Sequence, residues 1–371
     1  MKILFATGGT AGHINPALAA AGYIREQYPN VKILFVGTKD KMESRLVPKA
    51  GFDFKTIEIS GFRRSFTADA LKHNIDTVFK LVKSSGESKK IIKDFKPDVV
   101  VGFGGYVSGP VLTAAVKMNV PCCIHEQNAF PGITNKALAK KVDKVMLTVE
   151  DAKKHLEPKN EPIITGLPVR GEILNAKREF ARTKLGLGDK PLVLSTGGSL
   201  GAKPINDAMV GVITAHFNDK SCYHIHSTGA NGTYMFDELQ KNGVTFGDNI
   251  DCRKYIDDMD ICLAAADLVI GRAGASSLSE FQAMGKASIL IPSPYVAENH
   301  QYHNAMALVN RNAARIIEEK DLTADLLLKT IDELLKNKEE LNQIGKNAKK
   351  MAIMDSREQI ANVIVGLAKN K

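Results

Sequence analysis

The chain has 371 residues, of which 44% are hydrophobic and 25% charged, and its formal net charge is +9. This length exceeds one ordinary core and predicts a globular protein of two domains. The five cysteines lack the spacing of a zinc or disulfide framework. Without a dense basic tract and interleaved aromatics, a nucleic-acid partner is not expected. The mild positive charge fits an anionic ligand or an anionic membrane surface.

The first 24 residues predict a strand, a glycine-rich turn and a helix in succession. The strand is Lys2–Ala6, the turn is Thr7–Gly12, and the helix opens at Asn15-Pro16, because proline suits a first helical turn. A helix that begins at such a turn points free N–H groups at it, which favours an anion or a polar oxygen. The same dipole favours neutral His13, which makes this residue a candidate base.

Short apolar runs alternate with helical patterns along the whole chain, which predicts an α/β fold with doubly wound parallel sheets. TGGTAG at 7–12 returns as TGGSLG at 196–201, and DVVVGFGG at 98–105 returns as DLVIGRAG at 267–274. The order of the copies predicts two similar domains, 1–163 and 164–350, whose ligand sites lie beyond the carboxyl ends of the strands. The predicted strands are Lys2–Ala6, Lys32–Val36, Val99–Val101, Pro121–Ile124, Lys144–Thr148, Leu192–Ser195, Tyr223–Ser227, Leu268–Ile270 and Ala287–Ile291.

The glycine turns do not match dinucleotide or P-loop fingerprints. Thr7 stands where the first glycine of GxGxxG belongs, strand two ends without a suitable acid, and GxxxxGK[ST] is absent. Ser199 either binds a phosphate or belongs to a tight turn. Glu280 either closes a capping box with Ser277 or accepts ribose hydroxyls. His224 and His226 alternate on a strand and are interpreted as structural.

Two polar clusters and one basic helix complete the pattern. HEQN at 125–128 and NHQYHN at 299–304 each follow an apolar strand, where ligand sites form. The segment 71–96 has apolar residues at helical spacing among lysines, which is typical of a solvated helix or of one on an anionic membrane. The candidate membrane residues are Lys72, Ile75, Phe79, Val82 and Lys83.

Together these motifs resemble the MurG family of peptidoglycan N-acetylglucosaminyltransferases, which convert lipid I to lipid II. The resemblance spans nearly the whole chain and rests on TGGTAGHINPALA (7–19), SGFR (60–63), KPDVVVGFGGYVSGP (96–110), HEQNAFPGITNK (125–136), GLPVR (166–170), TGGSLGAKPIN (196–206), YIDDM (255–259), RAGASSLSE (272–280) and NHQYHNA (299–305). It implies a GT-B fold, in which two Rossmann-like domains face an interdomain cleft and a C-terminal helix, 351–371, returns to the first domain.

The resemblance also implies a residue set for UDP-N-acetylglucosamine (UDP-GlcNAc). Ile256 would hold the uracil through its backbone, and Glu280 would take the ribose hydroxyls, which makes the capping box secondary. Ser199 and the helix opened by Ala275, Ser276, Ser277, Leu278 and Ser279 would meet the diphosphate. Arg170, Gln301, Thr10, Ala11, Gly12 and Asn128 would complete the donor site.

The implied acceptor is lipid I, which its own lipid anchors in the cell membrane. The protein would be peripheral and would bind it at the cytoplasmic face. Gly104, Gly105, Tyr106 and Ser108 would help bind its diphosphate, and its lipid favours the membrane interpretation of the basic helix. The sequence departs from the family pattern at Ala11, where glycine is commoner, and at His300, where glutamine is usual. We expect Ala11 to be tolerated, whereas any donor contact from position 300 is in doubt.

The implied reaction is one inverting displacement by the 4-hydroxyl of N-acetylmuramic acid at C1 of the donor sugar. His13 is the first candidate base and Glu126 the second. Helix N-termini and Arg170 would stabilise the leaving UDP, so no cofactor or metal is expected. Two alternatives share the fold expectation: a non-hydrolysing UDP-sugar epimerase and a non-enzymatic UDP-sugar-binding protein.

Overall fold

The structure is a computed structural model that describes residues 1–60 and 68–369, without the side chains of residues 68, 70–76, 78 and 79. It divides into two compact units, Met1–Pro168 with Asp355–Lys371, and Val169–Met354. These divisions fall five and four residues beyond the predicted boundaries at 163 and 350. The C-terminal segment is part of the first unit, in agreement with the resemblance.

The first unit is a parallel sheet of seven strands with helices between them. The strands are β1 (Lys2–Ala6), β2 (Lys32–Gly37), β3 (Asp53–Thr56), β4 (Val99–Gly102), β5 (Cys122–Glu126), β6 (Lys144–Leu147) and β7 (Ile163–Ile164). The helices are α1 (Ala11–Gln27), α2 (Glu43–Lys49), α3 (Ala68–Phe95), α4 (Ser108–Lys117) and α5 (Ile133–Ala139), with a 3₁₀ turn at Glu150–His155. The sheet order is β3-β2-β1-β4-β5-β6-β7.

The second unit repeats this plan with six parallel strands. Its strands are β8 (Leu192–Thr196), β9 (Tyr223–Ser227), β10 (Ile250–Arg253), β11 (Leu268–Gly271), β12 (Ala287–Leu290) and β13 (Arg315–Ile316). Its helices are α6 (Gly171–Asn175), α7 (Arg178–Lys184), α8 (Lys203–Asp219), α9 (Tyr234–Lys241), α10 (Met259–Ala265), α11 (Ala275–Ala283), α12 (His300–Val309), α13 (Ala324–Lys336) and α14 (Lys338–Met351), with 3₁₀ turns at Ala297–Asn299 and Glu319–Asp321. The order β10-β9-β8-β11-β12-β13 matches the order of the first six strands of the first sheet, β3-β2-β1-β4-β5-β6, and only β7 has no counterpart among the described residues.

The shared order confirms the doubly wound prediction. It places each glycine turn where the strand order switches from one side of the sheet to the other, between β1 and β4 in the first sheet and between β8 and β11 in the second. In the first sheet Ala6 lies beside Gly102, so the turns after β1 and β4 leave at one level. In the second sheet Thr196 lies beside Gly271 in the same way. The sequence repeat at 98–105 and 267–274 therefore reflects the structural equivalence of β4 and β11.

The final helix, α15 (Ser356–Lys369), packs into the core of the first unit. Ile360 and Ile364 are fully buried and belong to one cluster with Ala17, Ala20 and Ala21 of α1. The small alanine side chains of α1 leave room for the larger apolar side chains of α15. Burial of these isoleucines contributes stability to the first unit.

Helix α1 begins at Ala11, earlier than the sequence indicated. Pro16 lies inside the helix, not in its first turn, so the helix lacks one backbone donor there. His13 is consequently the third helical residue. Ala11 lies within the helix and Gly9 supplies the positive φ of the turn, so the backbone at position 11 does not require glycine.

In the part of the chain that the structure describes, no helix has the combination of length and hydrophobicity that a membrane span requires. Helix α3 carries the segment that was predicted to face a membrane. Val82 is 70% exposed, and the exposed Lys83 forms an ion pair with Glu58. The side chains of Lys72, Ile75 and Phe79 lie outside the described residues, as do Gly61, Phe62 and Arg63 of the SGFR motif.

Buried neutral histidines make the second unit sensitive to acid. Burial lowers the pKa of His226 to about 3 and holds that of His224 well below its ordinary value. The unfolded chain takes up these protons near pH 6.5, whereas the folded unit resists them. These two histidines therefore make their full contribution to the free energy of unfolding above pH 6.5, and that contribution is progressively lost as the pH falls toward 3.

We expect the free energy of unfolding to fall by up to about 1.4 kcal/mol per pH unit for each such histidine. Urea titrations at pH 7, 6 and 5 measure this slope. His226→Gln should reduce the slope by about one proton relative to the unsubstituted protein. An unchanged slope in His226→Gln would contradict the assignment.

Candidate active site

A buried carboxylate organises the first glycine turn. Glu43 of α2 is fully buried, and its Oε2 accepts a hydrogen bond from the Gly9 amide at 3.1 Å. Its Oε1 accepts from the Thr38 amide at 3.0 Å and from the Thr38 hydroxyl at 2.6 Å. Glu43 thus links the end of β2 to the turn after β1. Sequence reasoning missed it, because a lone acid in MESR carries no recognisable motif.

The turn after β4 packs directly against the turn after β1. Gly105 has φ +76°, and a Cβ there would lie 2.3 Å from the Gly8 carbonyl oxygen. Gly104 has φ +89°, and a Cβ there would lie 2.8 Å from Nδ1 of His13. Both positions require glycine, for the backbone angle and for space. The two turns therefore form one surface beside His13.

Within this surface, the residues predicted for the acceptor diphosphate differ in their roles. Ser108 is fully buried, and its hydroxyl lies 3.0 Å from the Ala6 carbonyl and 2.8 Å from the Gly104 carbonyl. Its buried side chain therefore shapes the turn, and a contact from Ser108 to the acceptor diphosphate stays a prediction. Tyr106 is half-buried, and burial raises the pKa of its hydroxyl.

The two candidate bases lie in very different surroundings. His13 is partly exposed, and its Nδ1 lies 2.8 Å from Oε1 of Gln127. Glu126 is buried at the end of β5, where Oε1 accepts from the amide and the side chain of Asn128 at 2.9 and 3.2 Å. Its Oε2 accepts from the Gly132 amide at 3.2 Å and from Asn135 at 2.8 Å.

Four donors thus occupy the Glu126 carboxylate, which holds the 126–135 loop together. A general base needs a free lone pair within reach of the proton it removes. The geometry therefore favours His13 and gives Glu126 a structural role. The same bonds fix Asn128 at the end of β5. Thr10 and Gly12 are exposed, and Ala11 is partly exposed, at the start of α1.

The second unit has a comparable glycine turn. A Cβ on Gly201 would lie 2.1 Å from the Thr228 carbonyl oxygen, so the turns after β8 and β9 pack backbone against backbone. The Gly198 amide donates to Oγ1 of Thr196 at 3.1 Å. Ser199 is exposed at the tip of this turn. Helix α8 follows at Lys203, with proline in its first turn.

Glu280 pairs with Arg170 and does not cap its helix. Helix α11 begins at Ala275 after Gly274, so Glu280 lies six residues into it and the alternative capping-box interpretation is wrong. Nε of Arg170 donates to Oε1 of Glu280 at 2.9 Å. Burial raises the pKa of the Glu280 carboxyl, and the Arg170 charge opposes that shift.

The start of α11 offers the free amides that an anion requires. The backbone N–H groups of Ala275, Ser276 and Ser277 lie in the first helical turn, where they have no intrahelical acceptor. Leu278 and Ser279 are buried beneath them. This helix end follows β11 in the same way that α4 follows β4, where the strand order of the sheet switches sides.

The remaining predicted donor contacts lie after β10 and β12. Ile256 is buried and follows the exposed Tyr255. Oε1 of Gln301 accepts from the Ser293 amide at 3.0 Å, which fixes the side chain at the start of α12. Glu298 and Asn299 precede it with positive φ angles of 54° and 48°, an uncommon backbone conformation for residues with side chains. Such conformations cluster at functional sites.

One group of metal-type ligands exists among the residues described: His216, Cys222 and His224. Nδ1 of His216 lies 2.8 Å from Nε2 of His224, and His216 also contacts Asp332 at 3.0 Å. Two imidazole nitrogens at ~2.05 Å from a tetrahedral zinc are separated by ~3.3 Å. The observed pair is therefore hydrogen-bonded. His226 bonds to Ser195 at 2.7 Å and to Asn206 at 3.2 Å.

Comparison with known proteins identifies the class. The N-terminal domain of glycosyltransferase family 28 matches residues 3–147, and the C-terminal domain of that family matches residues 192–360. The chain therefore belongs to glycosyltransferase family 28 and is a glycosyltransferase with the two Rossmann-like units of the GT-B fold.

Relatives narrow the class further. The chain is 46% identical to the UDP-N-acetylglucosamine–N-acetylmuramyl-(pentapeptide) pyrophosphoryl-undecaprenol N-acetylglucosamine transferase of Acetivibrio thermocellus, over 100% of this chain and 99% of that protein. The crystal structure of Acinetobacter baumannii MurG superposes with a TM-score of 0.81 at 27% identity, covering 98% and 99% of the chains. Within family 28 the chain thus groups with the MurG transferases.

The epimerase alternative has support from the fold alone. A structure of a UDP-N-acetylglucosamine 2-epimerase from Listeria monocytogenes, named as putative, has a TM-score of 0.67 at 14% identity, covering 100% of this chain and 97% of the other. Identity this low establishes a common architecture and nothing about chemistry.

Substitution of Gly104 tests the contact between the two turns of the first unit. Gly104→Ala places a methyl group 2.8 Å from Nδ1 of His13 and strains the backbone, so the imidazole must move. We expect glycosyl transfer to fall at least about tenfold. Gly109→Ala is the matched control, because its Cβ would lie 3.6 Å from Thr134, an ordinary contact. Equal activities of the two variants would contradict this role.

Proposed function

We propose that this protein transfers N-acetylglucosamine from UDP-GlcNAc to the 4-hydroxyl of undecaprenyl-diphospho-N-acetylmuramoyl-pentapeptide (lipid I), forming lipid II for peptidoglycan. The full-length match to a transferase of this specificity carries the proposal. The site residues of both units support it, because they provide a base, an anion-binding helix start and a paired carboxylate.

The second unit binds the donor. Ile256 holds the uracil through its backbone, and the carboxylate of Glu280 accepts hydrogen bonds from the ribose hydroxyls. The amides at the start of α11, together with Ser199, bind the diphosphate. Arg170 and Gln301 contact the donor, and Thr10, Ala11, Gly12 and Asn128 are the contributions of the first unit. The support lies in the exposure of Ser199 and in the Arg170–Glu280 pair.

The first unit binds the acceptor and carries the base. The amides and small side chains of Gly104 and Gly105, with Tyr106, contact the acceptor diphosphate. His13 removes the proton of the 4-hydroxyl while that oxygen forms a bond to C1 of the donor sugar. The bond from C1 to the β-phosphate oxygen breaks, and its electron pair leaves with UDP. The configuration at C1 inverts in this single displacement.

We propose that this step requires neither a cofactor nor a metal. The charge that develops on the leaving diphosphate is met by the helix start at Ala275 and by the Arg170 guanidinium. The His216–Cys222–His224 cluster is hydrogen-bonded within itself and contains none of the proposed donor residues. Full activity in excess chelator would support the proposal, and loss that divalent ions restore would overturn it.

The assay for the overall function supplies UDP-GlcNAc and a lipid I analogue and follows formation of the disaccharide product. His13→Ala should abolish transfer and retain UDP-GlcNAc binding. UDP-GlcNAc alone tests the alternatives. An epimer formed without acceptor would indicate an epimerase, and UDP-GlcNAc binding without any product would indicate a binding protein.

Replacement of Glu280 tests the donor site. Glu280→Gln keeps the shape, removes the charge that pairs with ribose hydroxyls and replaces the ion pair with Arg170 by a hydrogen bond to a neutral amide. Charge-assisted hydrogen bonds contribute about 1.5–3 kcal/mol, so the Kd for UDP-GlcNAc should rise about tenfold or more. Titration calorimetry measures it, with the exposed Glu358→Gln of α15 as control. An unchanged Kd would remove Glu280 from the site.

We propose that the protein is peripheral at the cytoplasmic face of an anionic membrane, with α3 as its contact. The support is the exposed Val82 beside lysines and the lipid tether of the acceptor. Lys72, Ile75, Phe79, Val82 and Lys83 form the proposed contact. Because Lys83 is paired with Glu58, its contribution to membrane attraction is smaller than that of an unpaired lysine.

Val82→Ser should weaken binding to anionic vesicles about tenfold, since one apolar side chain contributes about 1.5 kcal/mol when buried. Sedimentation with vesicles measures the change. Phe180→Ser, which alters a 62% exposed apolar residue of α7 in the second unit, should leave binding unchanged. Transfer to a water-soluble acceptor should be equal in all three proteins. Retained vesicle binding in Val82→Ser would exclude this face.

A further inference from the structure

A chain of hydrogen bonds in the first unit begins at a backbone carbonyl and ends on His13. Nε2 of His125 lies 2.9 Å from the Gly166 carbonyl oxygen. Nε2 of Gln127 lies 3.1 Å from Nδ1 of His125 and 3.0 Å from the His125 carbonyl oxygen. Oε1 of Gln127 lies 2.8 Å from Nδ1 of His13. Gln127 and His125 are buried, so the chain is closed to solvent at that end.

The backbone carbonyls of Gly166 and His125 determine which side-chain atoms of His125 and Gln127 donate. A carbonyl oxygen can only accept, so the end of the Gln127 side chain that faces the His125 carbonyl must be its amide nitrogen. The amide oxygen then faces His13. The reverse orientation would place the Gln127 oxygen against a carbonyl oxygen at 3.0 Å, which is repulsive. The backbone thus fixes the orientation of the Gln127 amide.

The same reasoning fixes the proton on His125. Its Nε2 must donate to the Gly166 carbonyl, which leaves Nδ1 as the acceptor for Gln127. This ring is neutral, because burial lowers its pKa to about 4. It also stacks on Phe103 with ring centroids 5.2 Å apart, which restrains its orientation. Every donor in the chain meets an acceptor.

We infer that Gln127 is a positioning residue that fixes neutral His13 in the Nδ1–H tautomer. The amide oxygen of Gln127 can only accept, so Nδ1 of His13 carries the single proton and Nε2 keeps its lone pair. That lone pair can receive the proton of an attacking hydroxyl. After the transfer, Nδ1–H still donates to Gln127, whose amide dipole stabilises the imidazolium. The tautomer stands on geometry alone, whereas its use in transfer rests on the proposed function.

The tautomer is measured directly on the whole protein without substrate. Long-range ¹H–¹⁵N correlation spectra of enzyme labelled at histidine nitrogens distinguish Nδ1–H from Nε2–H imidazole at pH 8. His13→Gln assigns the signals of residue 13 by their loss. We expect Nδ1 protonated and Nε2 bare in the unsubstituted protein. A His13 signal of the Nε2–H type would overturn the inference.

Gln127→Met tests the agent that fixes the ring, because it retains the length of the side chain and removes the acceptor. We expect the spectra to show mixed tautomers at His13, and kcat to fall about tenfold while KM for UDP-GlcNAc changes less than twofold. Gln27→Met, at the exposed end of α1, should leave both unchanged. Persistence of the Nδ1–H form in Gln127→Met would show that another group selects it.

Gln127→Glu separates positioning from folding. It retains an acceptor for Nδ1–H of His13, so the Nδ1–H signal should persist, although both bonds to His125 are lost and the second carboxylate oxygen is repelled by the His125 carbonyl. Loss of that signal in a folded Gln127→Glu protein would contradict the inference. If the spectra agree and His13→Ala still transfers at the normal rate, the tautomer stands and the proposed base does not.

Discussion

Backbone approaching backbone at the strand ends is the constraint on which both units depend. In the first unit Gly105 lies against the Gly8 carbonyl, and in the second Gly201 lies against the Thr228 carbonyl. A Cβ at either position would come within 2.3 Å or less of an oxygen atom. Because no side chain separates these turns, the amides and helix starts after neighbouring strands converge on one small area. His13 and Ser199 owe their placement to this convergence.

The two repeats share the same turn, but a different kind of group accepts the hydrogen bond from its second glycine. In the first unit the amide of Gly9 is occupied by a buried carboxylate, Glu43. At the equivalent place in the second unit, the amide of Gly198 bonds to the neutral hydroxyl of Thr196. The backbone of the turn is thus repeated, whereas the group that holds its second glycine in place differs between the two units.

The sequence predicted the central strands well and the edge strands poorly. The bounds of β1 agree with the prediction to the residue, because a buried parallel strand is a continuous apolar run. Those of β9 also agree, although its sequence, YHIHS, places two buried histidines in the strand. The edge strands β3, β7, β10 and β13 were missed, since they are short or partly exposed and lack such runs. The start of α1 was misplaced because Pro16 indicated a first turn that the structure places earlier.

The sequence likewise predicted some of the site residues and missed others. Motifs next to predicted strands located His13, Ser199 and Glu280, but their partners came from elsewhere in the chain. Glu43 is 34 residues along the chain from Gly9, and Gly166 is 41 residues from His125, so neither contact can be read from a local pattern. The saturated Glu126 carboxylate shows the same limit, since its four donors become visible only when the 126–135 loop is folded.

The position of α15 bears on the order in which the protein assembles during synthesis. The alanine face of α1 that it covers is synthesised before the second unit, whereas α15 is synthesised after it. Nascent domains generally fold as units as they emerge. The second unit is complete once Met354 has left the ribosome, yet the first must wait for the segment that begins at Asp355. The half of the enzyme that is made first is therefore the half that is finished last.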